Sequence, residues 1–180
     1  MNGVYHTRVG YAGGTADNPS YYNLGDHTET LQIEYDPAVL TYEDILQVFW
    51  DSHNPVSTGS SRQYAAIIFY HDEDQKEAAL KSRAALEQQL QKKIHTEVLP
   101  FSRFFPAEDY HQKYYLQGSR ELTAELRAYY PDFEDFVCST AAARLNGYAA
   151  GFGNLALLEA EIDGLGLSSG GRDLLISLVD

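Results

Sequence analysis

Two hydrophobic periods lie side by side in the first third of the chain, and together they restrict its fold more than any other feature. From Thr28 to Tyr35, residues Leu31, Ile33 and Tyr35 alternate with Thr30, Gln32 and Glu34, the period of a half-buried strand. Asp36-Pro37 ends it. Thr41 then stands as an N-cap with Asp44 three residues on, a variant of the capping box. Tyr42, Ile45, Leu46 and Phe49 follow at i, i+3, i+4 and i+7, the apolar stripe of a helix packed on a sheet. Ala65 to Tyr70 is a continuous apolar run, as expected of a central strand buried on both faces. A charged helix from about Glu73 to Lys92 turns Ala79, Leu86 and Leu90 toward the core, and His95 to Phe101 reads as another strand. Beyond Ala107 the pattern is helical, and from Phe133 to Asp180 it reads as a separate extension. The expected class is α/β (α+β), with one domain over 1–131 and a C-terminal helical extension over 132–180.

Three turn-rich stretches punctuate these elements: Gly10 to Gly25, Asn54 to Ser61, and Gly164 to Gly171. The first is longer than most connections, which favours a functional loop over a spacer. Gly10-Tyr11-Ala12-Gly13-Gly14 echoes Gly147-Tyr148-Ala149-Ala150-Gly151, a match of turn chemistry too short to be a repeat.

Charge removes two classes of partner. The chain carries 13 Lys+Arg against 26 Asp+Glu, a formal −13 at pH 7, whereas nucleic acid and anionic membrane both need basic patches. No apolar run approaches a membrane span, and Met1 to His6 shows no export signal. A single cysteine, Cys138, excludes an internal disulfide framework and any CxxC site. The expectation is a soluble, cytoplasmic domain without a bound cofactor, nucleic-acid contact or membrane contact.

Glu29 shares the odd-numbered face of its strand with Leu31, Ile33 and Tyr35, so it is expected to point inward. Desolvation there raises a carboxyl pKa and makes it a proton donor near pH 7; the alternative places the strand's first residues in solvent. Tyr21 sits in the first long loop, and Tyr64 ends the second. Hydroxyls at the mouth of a sheet bind an oxygen of a polar substrate, although packing is the default for any one of 14 tyrosines. Glu108 and His111 stand at i, i+3 with no further ligand cluster, which favours a structural role over a metal or acid–base pair. Gly10 to Gly14 lacks the Lys-Ser/Thr of a phosphate loop, and no GxSxG elbow occurs. The neighbours of Cys138, from Phe136 to Ala143, are those of a helix-buried, inert thiol.

Taken in order, several stretches resemble the A-type methionine sulfoxide reductases, the peptide-methionine (S)-S-oxide reductases. They are Gly3 to Gly14, Asn18-Pro19-Ser20-Tyr21, Gly25-Asp26-His27-Thr28-Glu29, Tyr35-Asp36-Pro37, Val48 to Pro55, Arg62-Gln63-Tyr64 and Ala107 to Gln112. The resemblance covers residues 3 to about 115. It implies a two-layer sandwich around a mixed sheet, ferredoxin-like in style. It also implies a cysteine thiolate that attacks the sulfoxide sulfur, giving methionine and a sulfenic acid that thiols, ultimately thioredoxin, reduce; dithiothreitol serves the same end. Glu29, Tyr21 and Tyr64 fall on the positions that hold and protonate the sulfoxide oxygen, and His111 on a substrate-binding position. The implied partners are oxidised methionine in proteins or peptides and thioredoxin.

The family's nucleophile lies in a Gly-Cys-Phe-Trp-Gly motif that precedes the Gly-Val-Tyr segment, and these 180 residues hold no match to it. The expectation is a reductase domain truncated at its N-terminus and inactive as it stands. Cys138 matches no nucleophile motif and is left as a remote candidate, a recycling thiol or a packing residue. The alternative is a non-catalytic relative that binds methionine sulfoxide or a protein.

Overall fold

Strand β1 (Val4–Ala12) lies between β2 (Thr28–Tyr35) and β5 (Phe104–Pro106) in a three-stranded sheet of order β2-β1-β5. β1 and β5 are antiparallel, with Gly10 opposite Pro106 and Ala12 opposite Phe104. A second sheet pairs β3 (Ile67–Tyr70) and β4 (Glu97–Pro100) in parallel, Ile67 opposite Glu97. Parallel pairing needs a crossover, and α2 (Glu73–Leu90) supplies it. This is a computed structural model, and it describes residues 1–59 and 61–179. Ser60, in the second turn-rich stretch, and Asp180, at the end of the helical extension, lie outside the described residues.

The chain divides into two units. The first holds 1–3, 9–31 and 36–107; the second holds 4–8, 32–35 and 108–180. β1 is therefore divided with Val4–Arg8 in the second unit and the rest in the first, and β2 with Gln32–Tyr35 in the second and the rest in the first.

In the first unit α1 (Tyr42–Asp51) forms where the stripe predicts it. Its N-cap is a complete capping box: Asp44 N–H donates to Thr41 Oγ1 at 3.1 Å, and Thr41 N–H donates to Asp44 Oδ2 at 3.0 Å. Leu46 and Trp50 bury their side chains with Ile68, Ala79 and Ile94. Trp50 keeps its indole N–H satisfied by donating to Ser82 Oγ at 3.1 Å, as a buried tryptophan must. Two expectations need correction. In β3 only Ile68 is fully buried, because the strand has one partner and is not the centre of a sheet. Leu90 is 39% exposed at the end of α2, where the left-handed Gln91 (φ 50°) ends the helix.

The second unit is helical: α3 (Tyr114–Gln117), α4 (Arg120–Tyr129), α5 (Phe133–Val137), α6 (Thr140–Ala149), α7 (Leu155–Glu161) and α8 (Ser169–Val179). Leu116, Leu122, Leu126, Phe136, Leu145, Leu158 and Leu175 form its core, each no more than 1% exposed. Lys113 is buried as well, and its ammonium donates to the carbonyl and hydroxyl oxygens of Thr7 in β1. Gly170 and Gly171, expected within a loop, occupy the first turn of α8. Glu125 explains why: its carboxylate accepts from Ser168 N–H at 2.8 Å and Ser168 O–H at 2.6 Å, and Ser168 Oγ in turn accepts from Gly171 N–H at 3.1 Å. The echo of the glycine stretches is one of letters alone, since Gly10 lies in β1 and Gly147 in α6. Among the described residues, no helix is long and apolar enough to cross a membrane.

Candidate functional site

β2 begins with its even-numbered side chains turned inward. Thr28 is 2% exposed and donates its hydroxyl to the Arg62 carbonyl oxygen at 2.8 Å. Glu29 is exposed, and Leu31 beside it is 56% exposed. The inward Glu29 expected from the alternation is thus corrected. The strand's first residue is buried by a hydrogen bond rather than by an apolar side chain, and that sets the opposite phase.

Glu29 is not left to solvent alone. Gln63 Nε2–H donates to Glu29 Oε1 at 2.8 Å. Together with the Thr28 bond, this fixes the 3-10 turn Arg62–Tyr64 against the start of β2. Arg62 is held on its far side by Glu97, 2.5 Å from the guanidinium. Tyr64, next in the turn, is 54% exposed, and its hydroxyl is hydrogen-bonded to that of Tyr21. This bond, with the negative charge of Glu29 nearby, raises the Tyr64 phenol above its ordinary pKa. Tyr21 is half-buried against the cluster of Tyr11, Leu24 and Ala107, as are Val9 and Phe105. The structure therefore brings Tyr21, Tyr64 and Glu29 together in the first unit as two phenol hydroxyls beside a carboxylate. Such a trio offers donors to one strongly accepting oxygen, with a proton-carrying group adjacent.

The loop that carries Tyr21 is tied down by the two residues before Thr28. Asp26 accepts from Thr15 N–H at 2.8 Å, Ala16 N–H at 3.1 Å and the Thr15 hydroxyl at 2.9 Å. The two backbone bonds and the hydroxyl hold its carboxyl well below the usual range, at about 2. His27, 1% exposed, faces Gly14 N–H with Nδ1 at 3.2 Å and the Ala16 carbonyl with Nε2 at 2.8 Å. These contacts leave no space for side chains at two glycines. A Cβ on Gly14 would sit 2.5 Å from Asp26 Oδ1, and one on Gly25 (φ +62°) would sit 2.7 Å from the Ala16 Cβ.

His111 and Cys138 belong to the second unit. His111 ends a 3-10 turn, Asp109–His111, and its ring lies 4.2 Å from that of Tyr110. Cys138 is corrected from a helix-buried thiol: it is the C-cap of α5, half-buried, in the turn before Ser139 caps α6. Burial lowers the Lys113 ammonium to about 8, and the nearby Cys138 opposes that shift. Among the described residues, no three His, Cys, Asp or Glu side chains gather as metal ligands.

Comparison with known proteins decides the family. The profile described as "Peptide methionine sulfoxide reductase" matches residues 1–135. The chain belongs to this family. A second profile, "Selenoprotein methionine sulfoxide reductase A, helical domain", matches residues 132–175. The chain is 44% identical over 170 residues to a peptide methionine sulfoxide reductase of Drosophila melanogaster, covering 92% of this chain and 67% of that protein. It is 43% identical over 126 residues to one from Methanococcoides burtonii, covering 64% of this chain and 82% of the relative. Among solved structures, methionine sulfoxide reductase A of Corynebacterium diphtheriae superposes with a TM-score of 0.55 at 27% identity, covering 66% of each chain. The class expected from the sequence, α/β with a C-terminal helical region, is that of the reductase family.

Sequence reasoning missed Gln63, Thr28, Asp26 and His27. Gln63 and Thr28 stand next to Tyr64 and Glu29, and Asp26 and His27 lie within the same short stretch as Glu29. The signal was adjacency, but no periodicity marks a side chain whose partner is a loop backbone.

Proposed function

We propose that this chain supplies the sulfoxide-binding and proton-donating side of a peptide-methionine (S)-S-oxide reductase acting in repair of oxidised proteins in the cytoplasm. The observation that carries the reading is the Tyr21–Tyr64 hydroxyl pair beside Glu29. The sulfoxide oxygen is a strong acceptor: it accepts hydrogen bonds from the two phenol hydroxyls, and a proton drawn from solvent reaches it by way of the Glu29 carboxylate. A thiolate then bonds to the sulfoxide sulfur as the S–O bond breaks and the protonated oxygen, taking a second proton, leaves as water; water adds to the former thiolate sulfur, the new S–S bond breaks with its electron pair going to the methionine sulfur, and the products are methionine, a sulfenic acid and a proton. A second thiol converts the sulfenic acid to a disulfide and water, and thioredoxin or dithiothreitol reduces the disulfide. His111 is proposed as a contact for the substrate peptide. The division into a reductase domain over 1–131 and a helical extension over 132–180 stands as part of the same reading.

These 180 residues hold one thiol, Cys138, and it lies outside the trio's unit. The proposal is therefore binding without turnover by the chain as it stands. The test is titration with a peptide carrying methionine (S)-sulfoxide, its (R) epimer or methionine, alongside a turnover assay with dithiothreitol. Saturable binding of the (S) peptide, weakened about tenfold in Tyr64→Phe by loss of a hydrogen bond, is the expected result. No methionine should form with either the chain or Cys138→Ser. Turnover that disappears in Cys138→Ser would make Cys138 the nucleophile and overturn this account of it.

A further inference from the structure

The Tyr21 hydroxyl is useful only where Tyr64 meets it, yet Tyr21 rides on the long loop between β1 and β2. What closes the loop is a strip of three successive backbone N–H groups, at Gly14, Thr15 and Ala16, each donating to the side chain of residue 26 or 27. Asp26 takes the outer two from an exposed position. His27 takes the inner one from within the fold and adds a bond that a carboxylate cannot make, because a carboxylate has no proton to give.

The two partners of His27 fix its protonation. A backbone N–H only donates, so Nδ1, 3.2 Å from Gly14 N, carries no proton. A carbonyl oxygen only accepts, so Nε2, 2.8 Å from the Ala16 oxygen, carries one. One neutral ring thus grips backbone groups two residues apart with opposite polarity. Its face is seated edge-on against Phe105, with ring centroids 5.3 Å apart and planes at 81°. Phe105 packs in the same small core as Tyr21. Hydrogen bonding thus ties His27 to the Gly14–Ala16 segment at the start of the Tyr21 loop, and ring packing ties it to a core that Tyr21 shares.

We propose that His27, held as the neutral Nε2–H tautomer, is a positioning residue of the sulfoxide site: it sets the Gly14–Ala16 segment, and through it the Tyr21 hydroxyl, against Tyr64. The role rests on the functional reading given above, and it acts through Tyr21 rather than by contact with substrate.

Three measurements test it. The first uses the unaltered chain: a two-bond proton–nitrogen spectrum of the imidazoles at pH 7 should show His27 with a protonated Nε2 and a bare Nδ1. A protonated Nδ1, alone or in a doubly protonated ring, overturns the assignment whatever any variant does. The second is the ionisation of Tyr64, followed by its ring carbon signal. It is raised by the Tyr21 bond in the native chain, and in His27→Phe, which keeps a ring against Phe105, it should fall back toward the ordinary tyrosine value. A variant that folds, with the signals of α4 and α6 unmoved, and leaves the Tyr64 midpoint in place overturns the proposal. The third is affinity for the methionine (S)-sulfoxide peptide, expected to weaken about tenfold or more in His27→Phe. Failure of the native chain to bind that peptide refutes the functional reading alone, since the first two measurements need no ligand. If His27→Phe does not fold, the imidazole spectrum and the amide exchange of Gly14 in the native chain decide: slow exchange supports the grip, and exchange at the free-peptide rate rejects it.

Discussion

Asp26 shows how a single exposed side chain acts on a loop. Its carboxyl titrates at about 2 when folded, against 3.8 as the reference, because the charged form accepts from the Thr15 and Ala16 backbone and the Thr15 hydroxyl. The folded chain therefore binds this proton less readily than the unfolded chain. The stabilisation is complete above the unfolded value and disappears as pH falls from about 4 toward 2. Amide exchange at Thr15 and Ala16 should accelerate across that interval. In Asp26→Asn the same two amides should exchange fast at every pH, and persistence of the native acid profile in the variant would reject this account. Asp26 lies in a stretch that carries the family resemblance, but no periodicity reveals its role, and Glu29 shows the complementary error. Its phase was read from Leu31, Ile33 and Tyr35, but the strand start is set by Thr28, whose hydroxyl reaches a backbone carbonyl in a segment 34 residues away. A pattern of apolar letters carries no information about such a bond.

Elements were legible where local chemistry alone decides them. α1 is the clearest case: cap and stripe were both present between Thr41 and Phe49, and the capping box forms as read. Thr41→Ala removes one half of that box and should lower stability by about 1 kcal/mol in urea unfolding, with no change in the denaturant slope. α8 is the opposite case. Its start runs through Gly170 and Gly171, a pair that reads as a turn, and it becomes helical because Glu125 on α4 clasps Ser168. The deciding group lies 43 residues upstream, beyond any window of helix propensity. β3 failed for a similar reason: its apolar run was right for a strand, but the number of neighbouring strands is a property of the sheet and not of the run.

Each buried cluster falls within one unit. The Leu46–Trp50–Ile68 and Tyr11–Leu24 clusters belong to the first, and the leucine-rich cluster around Phe136 to the second. Leu145 is fully buried in the latter, so Leu145→Ala should cost roughly 2–5 kcal/mol. The accompanying rise in hydrogen exchange should appear first in α3, α4, α6 and α8, with α1 and α2 last. Equal acceleration in α1 would show that the chain unfolds as one cooperative block.

The division of β1 and β2 between the units has a consequence for how the molecule can be taken apart. The helices from Glu108 onward look like a cassette at the end of the chain, yet their unit includes Val4–Arg8 and Gln32–Tyr35. Lys113 donates hydrogen bonds from its buried ammonium to Thr7, at the opposite end of the polypeptide. A fragment starting at residue 108 would keep every helix and lose that acceptor together with two strips of strand. It should behave in isolation as a partly unfolded peptide and regain its structure when a peptide spanning 1–36 is supplied. The helical unit is thus assembled from three stretches of the chain rather than one. Neither proteolysis between the units nor a gene fusion cut at that point would release a self-sufficient module.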